Sequence, residues 1–479
     1  MEEAGRIAPS NLGILLDLGF MHGLRYNYAD ADRCFEQAVR VAPNKLEGLL
    51  AVGQRSRDFG NFTMAEKYYK RALEQKNVSP AALVKLADVY ERLQRPEESA
   101  SLLDRALHMD AACAPAIVQR ARLNRQAKQL TEAELRLRNF PPSAESALRA
   151  DAAYELGAIL DQQSRHDEAM ASFFEAKKIL LPNAAPFMAG LKVSRQRIQD
   201  IYAKLTAETL RNWFATTATL IPNRRLALVG GHPRSGTTLL DQVMDSHPDI
   251  ISADETEIFH TESYLPLTRS LPVDSPAMSI LEAASINTLT QSRNNYFESI
   301  EKFLNQPIGN RLLIDKNPSL TLIIPVLIRF FPEIKLLIAL RDPRDVVLSC
   351  FMQPFKLGTF NAPYLTLEGC VEEYIFLMRI WQELKPMISG HYLEVRYEDM
   401  VEDLESVARK SLDFLGVPWD AGVLHFNEHA RKKAVRSPTY ADVTQPVYKR
   451  AKGRWRNYQK YLEPHLEKLE PFVKAFGYE

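Results

Sequence analysis

Four cysteines in 479 residues leave little for a disulfide framework. Cys34, Cys113, Cys350 and Cys370 stand far apart. None has the C-x-x-C or zinc-finger spacing of a redox or metal site, and they read as reduced core thiols of a cytoplasmic protein. An excess of charge is missing too: 60 Lys and Arg balance 60 Asp and Glu. That removes bulk attraction to nucleic acid or an anionic membrane, while a local basic pocket stays open. No run approaches the roughly 18 apolar residues of a membrane span. The start, Met1-Glu-Glu-Ala-Gly-Arg6, lacks the basic head and apolar core of a secretory signal. No metal-ligand cluster is evident, and none is expected. What remains is an ordinary globular composition, 46% hydrophobic, in a chain long enough for two or three domains.

The N-terminal third repeats. Ala31, Ala65, Ser99 and Ala133 are 34 residues apart, and Ala169 follows 36 later. Phe35, Tyr69, Leu103, Leu137 and Phe173 keep the same step, as do Ala38, Ala72 and Ala106, with Ala176 two periods plus two residues further on. This small-x-x-x-large-x-x-small spacing puts the markers on one helix face. Twelve residues before each first marker stands another small residue: Gly19, Gly53, Ala87, Ala121 and Gly157. These belong on a preceding helix that approaches closely. A 34-residue helix-turn-helix unit of this kind resembles the tetratricopeptide repeat (TPR). Five such units are expected over residues 10–182, the fourth degraded by Phe140 and Pro141-Pro142. A stacked array offers a concave groove for a peptide or partner protein, and a dimerisation or packing platform is the alternative. Residues 183–222 read as a helical connector, with Leu191, Ile198, Tyr202, Leu205, Leu210 and Phe214 as its apolar stripe and Pro222-Asn223 as its end.

From Arg225 onward the pattern changes. Short apolar runs at Leu226–Val229, Leu312–Ile314, Lys335–Leu340 and Tyr392–Val395 alternate with helical stretches, which predicts a parallel sheet covered on both faces over residues 225–479. Between the first strand and a following helix lies Gly231-His-Pro-Arg-Ser-Gly-Thr-Thr238. A glycine loop in that place wraps backbone N–H groups around a phosphate. The nucleotide-triphosphatase form requires Lys where this chain has Thr237, and Arg234 is the cation offered instead. The loop is therefore P-loop-like without being an ATPase loop.

Ligands in such folds sit at the carboxyl ends of the strands. After Lys335–Leu340 comes Arg341-Asp-Pro-Arg-Asp345, with Ser349 eight residues beyond Arg341. Arg and Ser so placed can grip one phosphate; alternatively, Arg341 pairs with Asp342 or Asp345. Near the C-terminus runs Tyr448-Lys-Arg-Ala-Lys-Gly-Arg-Trp-Arg-Asn457, either a mobile basic lid or a basic surface turn.

These three motifs, in this order, resemble those of sulfotransferases that use 3′-phosphoadenosine 5′-phosphosulfate (PAPS). The resemblance covers Arg225 to the C-terminus. It implies a P-loop-like α/β sulfotransferase domain behind the α-helical repeats. It also implies that Arg234, Ser235, Gly236, Thr237 and Thr238 hold the 5′-phosphosulfate. Arg341, Ser349, Arg450, Lys452 and Gly453 would hold the 3′-phosphate, with adenosine 3′,5′-bisphosphate (PAP) as product.

The base distinguishes subfamilies. Cytosolic small-molecule sulfotransferases carry K-T-H after the second strand, whereas this chain has Asp315-Lys-Asn-Pro-Ser319, keeping Lys316 for the bridging oxygen but no His. Ser252-Ala-Asp-Glu-Thr256 resembles instead the G-E-E-T segment of tyrosylprotein sulfotransferases, whose second acid is the general base. Glu255 lies 21 residues after Arg234, as in that family, and Asp245-Ser-His-Pro-Asp249 matches its D-x-H-P-D string. The resemblance thus implies Glu255 as base, with Lys316 and Arg234 offsetting transferring charge. Asp254, His232 and His260 are rival bases. One departure is Glu257, where the family has an acceptor-side Arg, so acidic-peptide recognition is in doubt. A peptide tyrosine, a glycan and a small molecule stay open as acceptors. An interaction scaffold with an inactive sulfotransferase-like domain is the alternative. A kinase or NTPase lacks its Lys and its Mg²⁺ partner.

Overall fold

The structure, a computed structural model, describes residues 10–76, 78–268, 275–432 and 451–479. It divides into two compact units, Met1–Leu180 and Leu181–Glu479.

In the first unit the described residues form ten helices, from Leu12–Leu24 to His166–Leu180, packed as five consecutive pairs. The turn inside each pair contains one left-handed residue: Tyr26, Gly60, Gln94, Lys128 and Ser164, with φ of 60°, 81°, 58°, 63° and 61°. These positions keep the 34-residue step, with the same 36-residue last step as the side-chain markers, so the backbone repeats as the side chains do. Packing explains the small residues. A methyl placed on Gly157 would lie 2.7 Å from Cε1 of Phe173, and Gly19 and Gly53 press in the same way on Phe35 and Tyr69. Where the partner is the smaller Leu103 or Leu137, the preceding helix carries Ala87 or Ala121 instead. Each pair thus fills similar volume, as close-packed interiors require. Ion pairs such as Arg57–Asp88 (2.7 Å) and Arg122–Glu91 (3.4 Å) link neighbouring repeats. Their arginines are partly exposed, and such pairs add little beside the packing. The fourth pair is the short one: its second helix, Leu130–Arg138, stops just ahead of Phe140 and Pro141-Pro142.

The second unit begins with helices Ala185–Lys204 and Ala207–Phe214, the stretch expected as a connector. Leu191, Ile198, Leu205 and Leu210 are buried, Arg195 pairs with Glu373, and Phe214 stacks on His391 with ring centroids 3.9 Å apart. Five strands follow: β1 (Leu226–Gly231), β2 (Ile250–Ser252), β3 (Leu312–Lys316), β4 (Lys335–Leu340) and β5 (Tyr392–Arg396). They form one parallel sheet in the order β2-β3-β1-β4-β5. β1 and β3 are buried throughout, which is why they read as continuous apolar runs. β2, three residues long, was not among the expected strands and adds an edge beside β3. This order sets the carboxyl ends of β2, β3, β1 and β4 side by side.

Candidate functional site

The loop after the central strand β1 is shaped by its backbone. Gly231 has φ +124°, Arg234 +72° and Gly236 +98°. A side chain on Gly236 would meet Cδ2 of Tyr397 at 2.8 Å, so glycine is required there by both angle and space. Ser235 donates from both N (3.1 Å) and Oγ (2.6 Å) to the carbonyl of His232, and Thr321 Oγ1 accepts the N–H of Gly231 at 2.8 Å. Thr237 and Thr238 open the helix Thr237–Asp245 directly after Gly236. The N–H groups of a first helical turn lack helical partners and carry the positive end of the helix dipole.

On one side of this loop, at the end of β4, Arg341 is buried against Tyr397, its guanidinium 4.9 Å from the ring centroid. It donates to the carbonyls of Arg234 (3.2 Å) and Ala451 (2.6 Å), while its buried Nε has no partner among the described residues. Arg234 in turn donates from Nε to Oγ of Ser349 at 3.1 Å. Arg234 therefore meets Arg341 and Ser349, although it lies more than a hundred residues from both in sequence. Asp345 joins them: its carboxylate accepts the N–H groups of Gly453 (2.7 Å) and Trp455 (2.8 Å) and lies 3.9 Å from Arg341. Burial pushes its pKa up, against the pull of Arg341 and the two amides. Gly453, with φ +68°, comes to this corner through its N–H, whereas Lys452 turns aside to pair with Glu402 at 2.9 Å. Arg450 lies outside the described residues. Asp345 is not singled out for this role by the sequence. The only advance sign of Asp345 was its place in the Arg-Asp-Pro-Arg-Asp string, as an alternative partner for Arg341.

On the other side, at the ends of β2 and β3, lies a second group. Lys316, 0% exposed, has its ammonium 2.7 Å from Oε1 of Glu255 and 2.7 Å from Oδ1 of Asp254. Burial favours the neutral amine, yet the carboxylates of Asp254, Glu255 and Asp241 outweigh it and hold the pKa of Lys316 well above the usual lysine value. Glu255 is 40% exposed, so its carboxylate reaches both the lysine and solvent. Next to Lys316, burial pushes the pKa of Asp315 up to about 7, while the Tyr296 hydroxyl donating at 2.8 Å pulls it down. Asn317 braces the strand end by donating to the carbonyl of Thr256 and capping Ser319.

The rival histidines sit elsewhere. His260 belongs to a six-residue π-helical turn, Phe259–Tyr264, and faces the Tyr264 ring. His232 is buried behind the phosphate loop, with Nδ1 2.8 Å from the carbonyl of Pro233 and the Tyr374 ring beside it. Burial lowers its pKa to about 4, despite that hydrogen bond. It is neutral at neutral pH and braces the loop. Among the described residues no cluster of His, Cys, Asp or Glu is arranged to hold a metal, and no helix is long and apolar enough to cross a membrane.

The site thus consists of a glycine loop at the central strand of a parallel sheet, a Lys-carboxylate group on one side and an Arg-Ser group on the other. Residues 227–421 match the sulfotransferase family, and residues 50–117 match the tetratricopeptide repeat. The chain is thus a tetratricopeptide-repeat region followed by a sulfotransferase domain. Similar proteins include a protein-tyrosine sulfotransferase of Drosophila melanogaster, 29% identical over 270 residues, which are 54% of this chain and 52% of that one. Protein-tyrosine sulfotransferase 1 of Danio rerio is 26% identical over 292 residues, 59% of this chain and 81% of its own. An uncharacterized protein of Aquifex aeolicus is 25% identical over 342 residues, 70% of this chain but 43% of its own. The match thus spans about half or less of the fly and Aquifex proteins.

Proposed function

We propose that this protein is a sulfotransferase that moves a sulfuryl group from PAPS to an acceptor hydroxyl. The observation that carries the proposal is the contact between Glu255 and Lys316, at strand ends beside the phosphate loop. The cradle suits a 3′-phosphonucleotide: backbone N–H groups at the start of a helix for one phosphate, and a buried Arg341 with an unused Nε–H near Ser349 and Arg234 for another.

PAPS, when bound, supplies the activated sulfuryl group. Ser235, Gly236, Thr237 and Thr238 bind its 5′ end, while Arg341, Ser349, Gly453 and Arg450 bind the 3′-phosphate, joined by Lys452 once it leaves Glu402. Glu255 takes the proton as the acceptor O–H bond breaks and the acceptor oxygen bonds to sulfur. Lys316 and Arg234 stabilise the electron pair left on the departing phosphate oxygen. Glu255 suits the base because its carboxylate is both ionic and partly open to an incoming hydroxyl.

The acceptor we favour is a peptide tyrosine, on two supports. Relatives carry the name protein-tyrosine sulfotransferase, and a repeat array offers a groove for a peptide or partner protein. A glycan or small-molecule hydroxyl is the second reading, favoured by the acidic Glu257 two residues past the proposed base. A cytoplasmic location is part of this reading, since four cysteines without C-x-x-C spacing offer little for a disulfide framework. The test is PAP release from PAPS by the full chain, with tyrosine peptides, glycans and phenols offered in turn. The expected result is acceptor-dependent release that falls by about 100-fold or more in Glu255→Gln. PAP binding without turnover on any acceptor would favour an inactive domain serving a repeat scaffold.

A further inference from the structure

Two carboxylates share one buried ammonium at this site, and they differ in how firmly they are held. Asp254 is short, buried and fixed by its backbone: it has φ +55°, and its N–H donates to Oγ of Ser252 at 3.2 Å. That hydroxyl donates to Oδ1 of Asp241 at 2.5 Å, and Asp241 also accepts from Gln242 at 3.1 Å. The Asp254 side chain therefore has a braced base and little room to swing. Glu255 is one methylene longer, partly solvated, and reaches the same Nζ from the open side.

We propose that Asp254 is the resident counter-ion of Lys316, a positioning residue that keeps the ammonium aimed at the phosphate loop while Glu255 is free to part from it. The proposal rests on the sulfotransferase reading above. An ammonium has three donors that rotate about its stem, so it can keep one carboxylate while exchanging another partner. When an anion arrives beside Nζ, the carboxylate that yields is the one water can receive, which is Glu255. Asp254 stays and prevents a fully buried lysine from facing the change without a counter-charge. Glu255 is then left beside the acceptor as a carboxylate able to take a proton. Lys316 is faced by Asp254 and Glu255 from the segment after β2, by Asp241 from the helix Thr237–Asp245, and by its neighbour Asp315 in β3.

The test is Asp254→Asn in the full chain, read by calorimetric titration of PAP, by the pH profile of kcat and by thermal unfolding. Removing one negative charge beside an anion site tightens PAP binding by about threefold or more. With Asp254 gone, Lys316 holds Glu255 as its sole close partner after β2, so kcat falls by about tenfold and the acid limb of the profile moves to lower pH. Asp254→Glu, which keeps the charge, restores PAP affinity toward the wild-type value. Three results overturn the proposal. A loss of kcat as deep as that of Glu255→Gln with unchanged PAP affinity makes Asp254 the base itself. A lower melting temperature with neither PAP affinity nor pH profile moved makes its role structural alone. Weaker PAP binding in the folded variant reverses the expected electrostatics. If instead Glu255→Gln keeps full activity, the reading of Glu255 as base fails, while the PAP shift in Asp254→Asn still reports on the Asp254–Lys316 pair.

Discussion

Asp345 Oδ2 accepts the N–H of Gly453 at 2.7 Å, joining the first turn of the helix after β4 to a segment 108 residues further on. The second oxygen takes the N–H of Trp455, and the guanidinium of Arg344 lies 4.2 Å from the Trp455 ring centroid. The loop that carries Arg341 and the C-terminal segment that carries Gly453 are therefore one structure, held by the Asp345 carboxylate, by Arg341 donating to the carbonyl of Ala451 and by Arg344 over Trp455.

Asp345→Ala should release that segment. Two amides lose their acceptor, and each unmet buried donor costs about 1–3 kcal/mol. The expected outcome is faster proteolytic cleavage near residues 451–456 and weaker PAP binding. An unchanged cleavage pattern would show that Trp455 packing and the bonds of Ala451 and Lys452 hold the segment without Asp345.

Gly157→Ala should destabilise the repeats although alanine is the better helix former. The new methyl would press on the Phe173 ring at 2.7 Å, and overpacking of this kind costs about 1–3 kcal/mol. Adding Phe173→Leu recreates the pairing of Ala87 with Leu103 and should recover part of the loss. Denaturant unfolding of the two variants checks both directions.

These examples also show what the sequence displayed and what it hid. The repeat period, the close-approach residues and four of the five strands stand out because each reflects burial on a fixed period. The left-handed turn positions Tyr26, Gln94, Lys128 and Ser164 do not, since their conformation is imposed by the packed helix pair rather than signalled by glycine. β2 does not stand out because three residues are too few to show as an apolar run. The phosphate loop, Lys316 and Arg341 were legible as motifs at strand ends. The work of Asp345 and the sharing of Lys316 between Asp254 and Glu255 were not, because both depend on contacts between distant segments or on the direction of a left-handed backbone.

Two buried groups should give the stability curve opposing slopes. His232 has a folded pKa of about 4, below the ordinary histidine value, because burial disfavours its charge. Its contribution is present above about pH 6.5 and is lost as pH falls toward 4, by roughly 3 kcal/mol at most. Asp315 has a folded pKa of about 7, raised by burial, so its contribution is present below about pH 4 and is lost as pH rises through 7. The two slopes offset each other over the same range, so unfolding measured across pH 4–8 should show stability falling more steeply with rising pH than in the wild type for His232→Phe, and rising with pH for Asp315→Asn. Parallel curves for wild type and both variants would contradict the assigned protonation states.

The central claim is that Arg341, Ser349 and the phosphate loop form a site for a 3′-phosphonucleotide. Calorimetric titration of PAP into the wild-type chain and Arg341→Ala, without metal, tests it most directly. The account predicts binding by the wild type and a loss of about 10–100-fold in the variant, the effect of removing charge-assisted hydrogen bonds. Absence of PAP binding by the wild type, especially if ATP with Mg²⁺ binds instead, would contradict it.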